Sequence, residues 1–162
     1  VGPESVVIGP GCKPGIFFTA LALLEKEDEI IFPNPGFPAY VNIASVIGCK
    51  AVAVPYNERG DAFDLVALEA AINEKTRVII INSPSNPTGG VTSAADLDKF
   101  ATIVKKWPRV WVFSDEIYAL LVYDGEKVAP SFLTTASEHG LLDRTCMFDG
   151  ASKSYCMTGW RL

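Results

Sequence analysis

Between Arg77 and Asn82 the chain carries four β-branched residues in a row, Val78-Ile79-Ile80-Ile81. A strand with one wet face alternates apolar and polar residues, whereas an unbroken run is covered on both faces. That is the pattern of a parallel sheet sandwiched between helices. Parallel neighbours cannot be joined by a tight hairpin and need crossover connections, usually helical. The run stops at Asn82-Ser83-Pro84-Ser85-Asn86-Pro87-Thr88-Gly89-Gly90, a turn-rich segment that cannot extend a sheet.

The rest of the chain supplies the alternation that this strand demands. Val6 to Ile8 predicts a short strand, followed by a Gly-rich turn over Gly9 to Gly15 and a helix over Ile16 to Glu25. Glu29 to Phe32 reads as a strand ended by Pro33-Asn34-Pro35-Gly36-Phe37-Pro38, and Tyr40 to Ile47 as a helix ended by Gly48. Next come a strand over Lys50 to Tyr56, the polar turn Asn57-Glu58-Arg59-Gly60, and a helix over Leu65 to Asn73 capped by Asp64. Ser93 caps a helix from Ala94 to Lys106, Pro108 closes it, and Val110 to Phe113 forms a buried strand. Signals are weak over residues 119 to 144, apart from a polar connection near Asp124-Gly125-Glu126, and Thr145 to Phe148 gives a last strand. The expectation is one α/β domain over residues 1–162, a mainly parallel sheet with helices on both faces in three αβα layers.

Composition narrows the class of function. With 162 residues, 49% hydrophobic content and a net charge of −5, the chain can bury a core. The mild acidic excess, without a Lys/Arg cluster, argues against nucleic acid as a partner. The longest mainly apolar stretch, Ile16 to Leu24, is nine residues and contains Thr19, too short to span a bilayer. Val1 to Pro10 lacks the basic start and apolar stretch of a secretory leader. The four cysteines form no CxxC pair and His139 is the only histidine. Reduced thiols in a cytoplasmic protein are therefore expected, with no metal site.

Short polar or glycine-rich motifs follow several strands, which is where open α/β sheets collect ligand groups. Gly11-Cys12-Lys13 precedes a helix whose free N–H groups can hold phosphate, although an ordinary tight turn reads the same way. At the other end of the chain, the final strand runs into Asp149-Gly150-Ala151-Ser152-Lys153, and Arg161 follows eight residues after the lysine. A lysine at a strand exit, partly desolvated and near a second cation, would be a usable nucleophile. Taken singly, each candidate has a plainer role. Lys153 can be a solvated loop residue, Asp115 a helix cap, Tyr118 and Phe37 core, and Arg161 a surface ion-pair partner.

Together, in this order, they resemble the class I/II aminotransferases, pyridoxal 5'-phosphate (PLP) enzymes of fold type I. The carriers are Ser152-Lys153-Ser154-Tyr155-Cys156-Met157-Thr158-Gly159-Trp160-Arg161-Leu162, Asn86-Pro87-Thr88-Gly89, Asn34-Pro35-Gly36 with Phe37, and Asp115 with Tyr118. The resemblance spans essentially the whole chain. It implies that Lys153 holds PLP as a Schiff base and then serves as general base and acid. Asp115 would face the pyridine nitrogen, Tyr118 and Asn86 would donate to the phenolic oxygen, and Phe37 would stack on the ring. Gly11, Cys12, Lys13, Ser152 and Arg161 would take the phosphate. Cys12 departs from the Ser or Gly usual in the family, and Gly150 stands where some relatives carry a phosphate-binding serine.

The implied activity is transfer of an amino group between an amino acid and a 2-oxo acid. A β-lyase or synthase of the same fold, or a non-catalytic PLP-binding regulatory module, are the alternatives. The same resemblance implies a homodimer in the full-length form. It reads these residues as the central part of a large domain, without the N-terminal arm and C-terminal small domain. Alone, such a fragment is expected to be inactive and to expose sheet edges.

Overall fold

In the computed structural model, residues 2–162 are described. Five strands form one sheet: β1 (Glu29–Asn34), β2 (Lys50–Pro55), β3 (Thr76–Asn82), β4 (Trp111–Asp115) and β5 (Thr145–Phe148). Their order is β2-β1-β3-β4-β5, and each of the four pairings between them is parallel. The crossovers carry α2 (Ala39–Ile47), α3 (Leu65–Ala71), α4 (Ala94–Lys105) and α5 (Phe132–His139), while α1 (Cys12–Leu23) precedes β1 and the single turn α6 (Ala151–Ser154) follows β5.

The β-branched run explains the layering. Val78 and Ile80 point to one face, where they pack with Ile16 and Ala20 of α1 and Tyr40 and Ile43 of α2. Ile79 and Ile81 point to the other, against Leu68 of α3, Leu97 and Phe100 of α4 and Phe132 of α5. Val78, Ile79 and Ile80 have no exposed surface, and burying each side chain contributes roughly 2 kcal/mol. The two helices that matter for the site, α1 and α2, therefore share one face of the sheet.

Several expected boundaries move. Val6 to Ile8 is not a strand. Val6 is extended, but among the described residues no strand pairs with it, and Val7 and Ile8 are 95% and 85% exposed. β propensity reports packing on a pleated surface, and these side chains have none. Helix α1 begins four residues earlier than expected, at Cys12, with Gly11 as its N-cap at φ 91°. Pro14 is tolerated there because the first turn needs no partner for its N–H. β4 runs through Asp115, so this carboxylate ends a strand and does not cap a helix. The weak stretch contains α5, capped by Ser131 Oγ on Leu133 N and closed by Gly140 at φ 69°.

Candidate active site

Strand order reverses between β1 and β3, since β1 pairs with β2 on one side and β3 on the other. Loops leaving the carboxyl ends of strands on either side of such a point diverge and open a crevice. Here the crevice encloses about 330 Å³. Phe37 reaches it from the loop after β1, Asn86 from the loop after β3, Asp115 and Tyr118 from the end of β4, and Ser152 and Lys153 from α6. Cys12 and Lys13 enter from the start of α1, and Arg161 from the far end of the chain. Every site residue named from the sequence lines this one cavity except Gly11, and Gly11 lies against it. An added Cβ at Gly11 would come within 2.6 Å of Arg161 Nη2, so the guanidinium would have to move, and the φ of +91° itself favours glycine.

Asp115 sits at the floor and is 4% exposed. Its Oδ2 accepts from Tyr40 Oη at 2.7 Å, and its Oδ1 from Ile117 N at 3.4 Å and Cys12 Sγ at 3.7 Å. Burial pushes the carboxyl above the ordinary aspartate range, these donors oppose the rise, and the Asp149 charge adds to it. Burial and then the Asp115 charge also raise the Cys12 thiol, the Tyr40 phenol and the Tyr118 phenol. All three therefore keep their protons near neutrality and face Asp115 as neutral groups.

At the rim the charges are positive. Lys13, Lys153 and Arg161 are exposed. Lys153 is thus not desolvated as the sequence reading had it, although the second cation is present in Arg161. Lys13 Nζ stands 5.1 Å from the centroid of the Phe37 ring, within cation–π range. Arg161 donates Nη1 to Thr158 O at 2.8 Å and Nη2 to Pro10 O at 3.0 Å. Those contacts tie the last residues to the turn before α1. Ser152 is buried, with its hydroxyl near Leu162 O at 3.5 Å. Gly150 also approaches that carbonyl, which an added Cβ would meet at 3.2 Å. A serine there would need the terminal turn to shift.

Sequence reasoning missed Tyr40 and Asn82. Tyr40, fully buried, follows Phe37 by three residues, and their rings meet edge to face at 5.7 Å. A buried tyrosine needs a partner for its hydroxyl, and that was the available signal. Asn82 donates Nδ2 to Asp115 O at 3.0 Å and accepts from Asn86 N at 2.8 Å. One side chain so fixes both the end of β4 and the loop that carries Asn86. Among the described residues there is no group of three or more metal-ligating side chains and no helix long and apolar enough to cross a membrane.

The chain is 39% identical over 162 residues to the aspartate/prephenate aminotransferase of Cereibacter sphaeroides, covering 99% of this chain and 40% of that one. It is 38% identical to an aspartate aminotransferase of Rhizobium meliloti, covering 98% and 38% respectively. This chain thus spans about two fifths of the length of such relatives. In three dimensions it superposes on N-succinyldiaminopimelate aminotransferase from Mycobacterium tuberculosis with a TM-score of 0.87 at 34% identity, covering 99% of this chain and 41% of the other. The Rhizobium meliloti aspartate aminotransferase structure gives the same TM-score, 0.87, at 36% identity, covering 94% of this chain and 38% of the other. The aminotransferase class I and II family matches residues 1–162, and the chain belongs to that family.

Proposed function

We propose that the protein carrying this chain is a PLP-dependent aminotransferase moving an amino group between an amino acid and a 2-oxo acid. On this reading the chain is the central part of the cofactor-binding domain, and the working enzyme is a cytoplasmic homodimer. The observation that carries the proposal is one cavity with a buried carboxylate, Asp115, at its floor and Lys153 and Arg161 at its rim.

The residues fit the cofactor. PLP has a ring nitrogen that binds a proton, an anionic phosphate and an aldehyde, which call for an anion, a cationic cradle and an amine. Asp115 would hold the protonated nitrogen, Phe37 would cover a ring face, and Tyr118 and Asn86 would donate to the phenolic oxygen. The N-terminus of α1 at Gly11, Cys12 and Lys13, with Ser152 and Arg161, would hold the phosphate. The close approach of Gly11 to Arg161 supports that cradle, because the first N–H groups of a helix have no partners within it. Lys153 would hold the cofactor through its amine. When bound, the cofactor supplies an electron sink for the substrate's α-carbon.

The chain's own residues then have defined tasks. Lys153 Nζ takes the proton from the substrate's α-carbon and returns one, which requires an amine free to move. Its place on a one-turn helix after β5 and its exposure allow that freedom. Asp115 keeps a negative charge against the protonated nitrogen, and Asn82 holds Asp115 and Asn86 in register.

The test uses the full-length protein. Incubation with PLP should produce a visible absorption band, and borohydride should fix the label on a peptide containing Lys153. Amino transfer from aspartate to 2-oxoglutarate should be measurable and lost in Lys153→Ala. Asp115→Ala should retain some PLP binding and lose most transfer. A label on Lys13, or near-normal turnover in Asp115→Ala, would overturn these assignments. Elimination products in place of a new amino acid would favour the lyase reading, and stable binding with no turnover the regulatory one.

A further inference from the structure

Asp115 is held by side chains from two helices that reach it from the same face of the sheet. Tyr40, in the first turn of α2, donates to Oδ2 at 2.7 Å, and Cys12, the first residue of α1, faces Oδ1 at 3.7 Å. Tyr40 is fully buried and Asp115 nearly so, so no water competes for the shorter bond. Neither donor carries charge. A lysine or arginine in their place would neutralise the carboxylate and remove its attraction for a cation in the cavity. A neutral O–H or S–H fixes the oxygen and leaves the charge available.

We propose that Tyr40 and Cys12 are positioning residues that lock the Asp115 carboxylate, one donor to each oxygen, and keep it competent to hold a proton-bearing nitrogen. Cys12 has a second part in this. Its backbone opens α1, where the phosphate cradle lies, while its thiol touches Asp115. The spacing between the anion-holding end of the cavity and the cation-holding end is thereby set within one residue. This inference rests on the PLP reading of the cavity.

The charged and titratable groups around Asp115 are Cys12 on α1, Tyr40 on α2, Tyr118 after β4, Asp149 after β5, and Lys153 and Arg161 across the cavity. Of these, Tyr40 makes the shortest bond to it. Removing that donor leaves burial and Asp149 less opposed, so Asp115 should keep its proton to higher pH.

The experiment compares wild type, Tyr40→Phe, Cys12→Ala and Asp115→Asn as full-length proteins. Without cofactor, unfolding by urea is followed at pH 5 and pH 8. Tyr40→Phe should lower the folding equilibrium constant more in the wild-type background than in an Asp115→Asn background, by about tenfold at pH 8, and by much less at pH 5. With PLP, Tyr40→Phe should weaken binding about tenfold near neutrality, and the pH at which half of the binding is gained should move up. Cys12→Ala should shift the same profile upward by a smaller amount, and Cys12→Ser should restore it.

Additive effects of Tyr40→Phe and Asp115→Asn, together with an unmoved pH profile, would overturn the inference. A Tyr40→Phe protein that does not fold leaves the decision to Cys12→Ala, where an unmoved profile would be equally fatal. Should PLP fail to bind wild type, or bind as well to Asp115→Ala as to wild type, the reading of the cavity itself fails. The cofactor-free coupling between Tyr40 and Asp115 would still stand on its own result.

Discussion

Replacing Glu116 with alanine tests how the corner that presents Asp115 is held. Glu116 Oε1 accepts three hydrogen bonds, from Ser114 Oγ at 2.8 Å, Phe132 N at 3.0 Å and Ser131 Oγ at 3.1 Å. The carboxylate so ties the end of β4 to the N-terminus of α5. Glu116, Ser114 and Phe132 are 5%, 2% and 1% exposed. In the alanine variant the Phe132 N–H and the Ser114 hydroxyl would be stranded away from water, whereas half-buried Ser131 can rehydrate. Two stranded donors cost roughly 1–3 kcal/mol each, and the missing methylene adds about 0.8 kcal/mol. Relief of the buried carboxyl works the other way, since burial is the first cause of its raised pKa. The net loss should be about 3 kcal/mol, equivalent to a fall of roughly 6–12 °C in Tm for a chain of this size. Glu116→Gln keeps an acceptor oxygen and should lose less than about 1 kcal/mol. Urea unfolding at fixed pH, with unchanged m, measures both. Equal losses in the two variants, or a loss below about 1 kcal/mol for alanine, would refute the triple-acceptor argument.

Two further outcomes are expected. Stability of the cofactor-free protein should decline as pH rises beyond about 4.5, because Asp115 and Glu116 have folded pKa values raised by burial. The stability they contribute is complete below their unfolded pKa and is lost as pH rises through the folded one. Glu29 and Asp96, lowered chiefly by hydrogen bonds from Lys50 and Lys99, contribute above their unfolded pKa and lose it as pH falls through the folded one. Urea midpoints between pH 3 and 8 should therefore peak on the acid side of neutrality, and a steady rise to pH 8 would contradict the assignment. Gly11→Ala combines a φ of +91° with a Cβ 2.6 Å from Arg161 Nη2. It should cost about 1 kcal/mol or more and, by displacing the guanidinium, weaken PLP binding about tenfold as read by absorbance titration.

Most of the sheet was legible because its signal is local. Val78 to Ile81 announces a strand covered on both faces, and the caps Asp64 and Ser93 act where expected, Asp64 Oδ1 accepting from Val66 N and Ala67 N and Ser93 Oγ from Asp96 N. Val6 to Ile8 carries the same β-branched signal and forms no strand, because pairing depends on a neighbour that the sequence does not specify. Helix α5 was missed for a related reason. It has eight residues, and its N-terminus is held by Ser131 and by Glu116, sixteen residues upstream of the Phe132 N–H that it accepts. In the site, residues that follow strands were legible from motif and order. Tyr40 and Asn82 were not, since each acts through Asp115, 75 and 33 positions away.

Charge placement in the cavity accounts for the division between these two groups. Among the described residues Asp115 has no ion-pair partner, only neutral donors, and burial without a counter-charge disfavours its ionised form. The cations at the rim stay exposed, where water screens them and they cost little to keep. A ligand with a protonated nitrogen at one end and an anionic group at the other satisfies both ends at once, and the gain is larger at the floor, where screening is weaker. Binding such a ligand draws the Asp115 proton affinity back down, because the nitrogen's charge stabilises the carboxylate. Cavity residues such as Phe37, Asn86 and Asp115 sit at or just after strand ends in short motifs, where sequence order reveals them. Of the side chains that hold Asp115, Asn82 comes from the end of β3 and Tyr40 from α2, and only the folded arrangement of α1 and α2 brings Cys12 and Tyr40 to the same carboxylate.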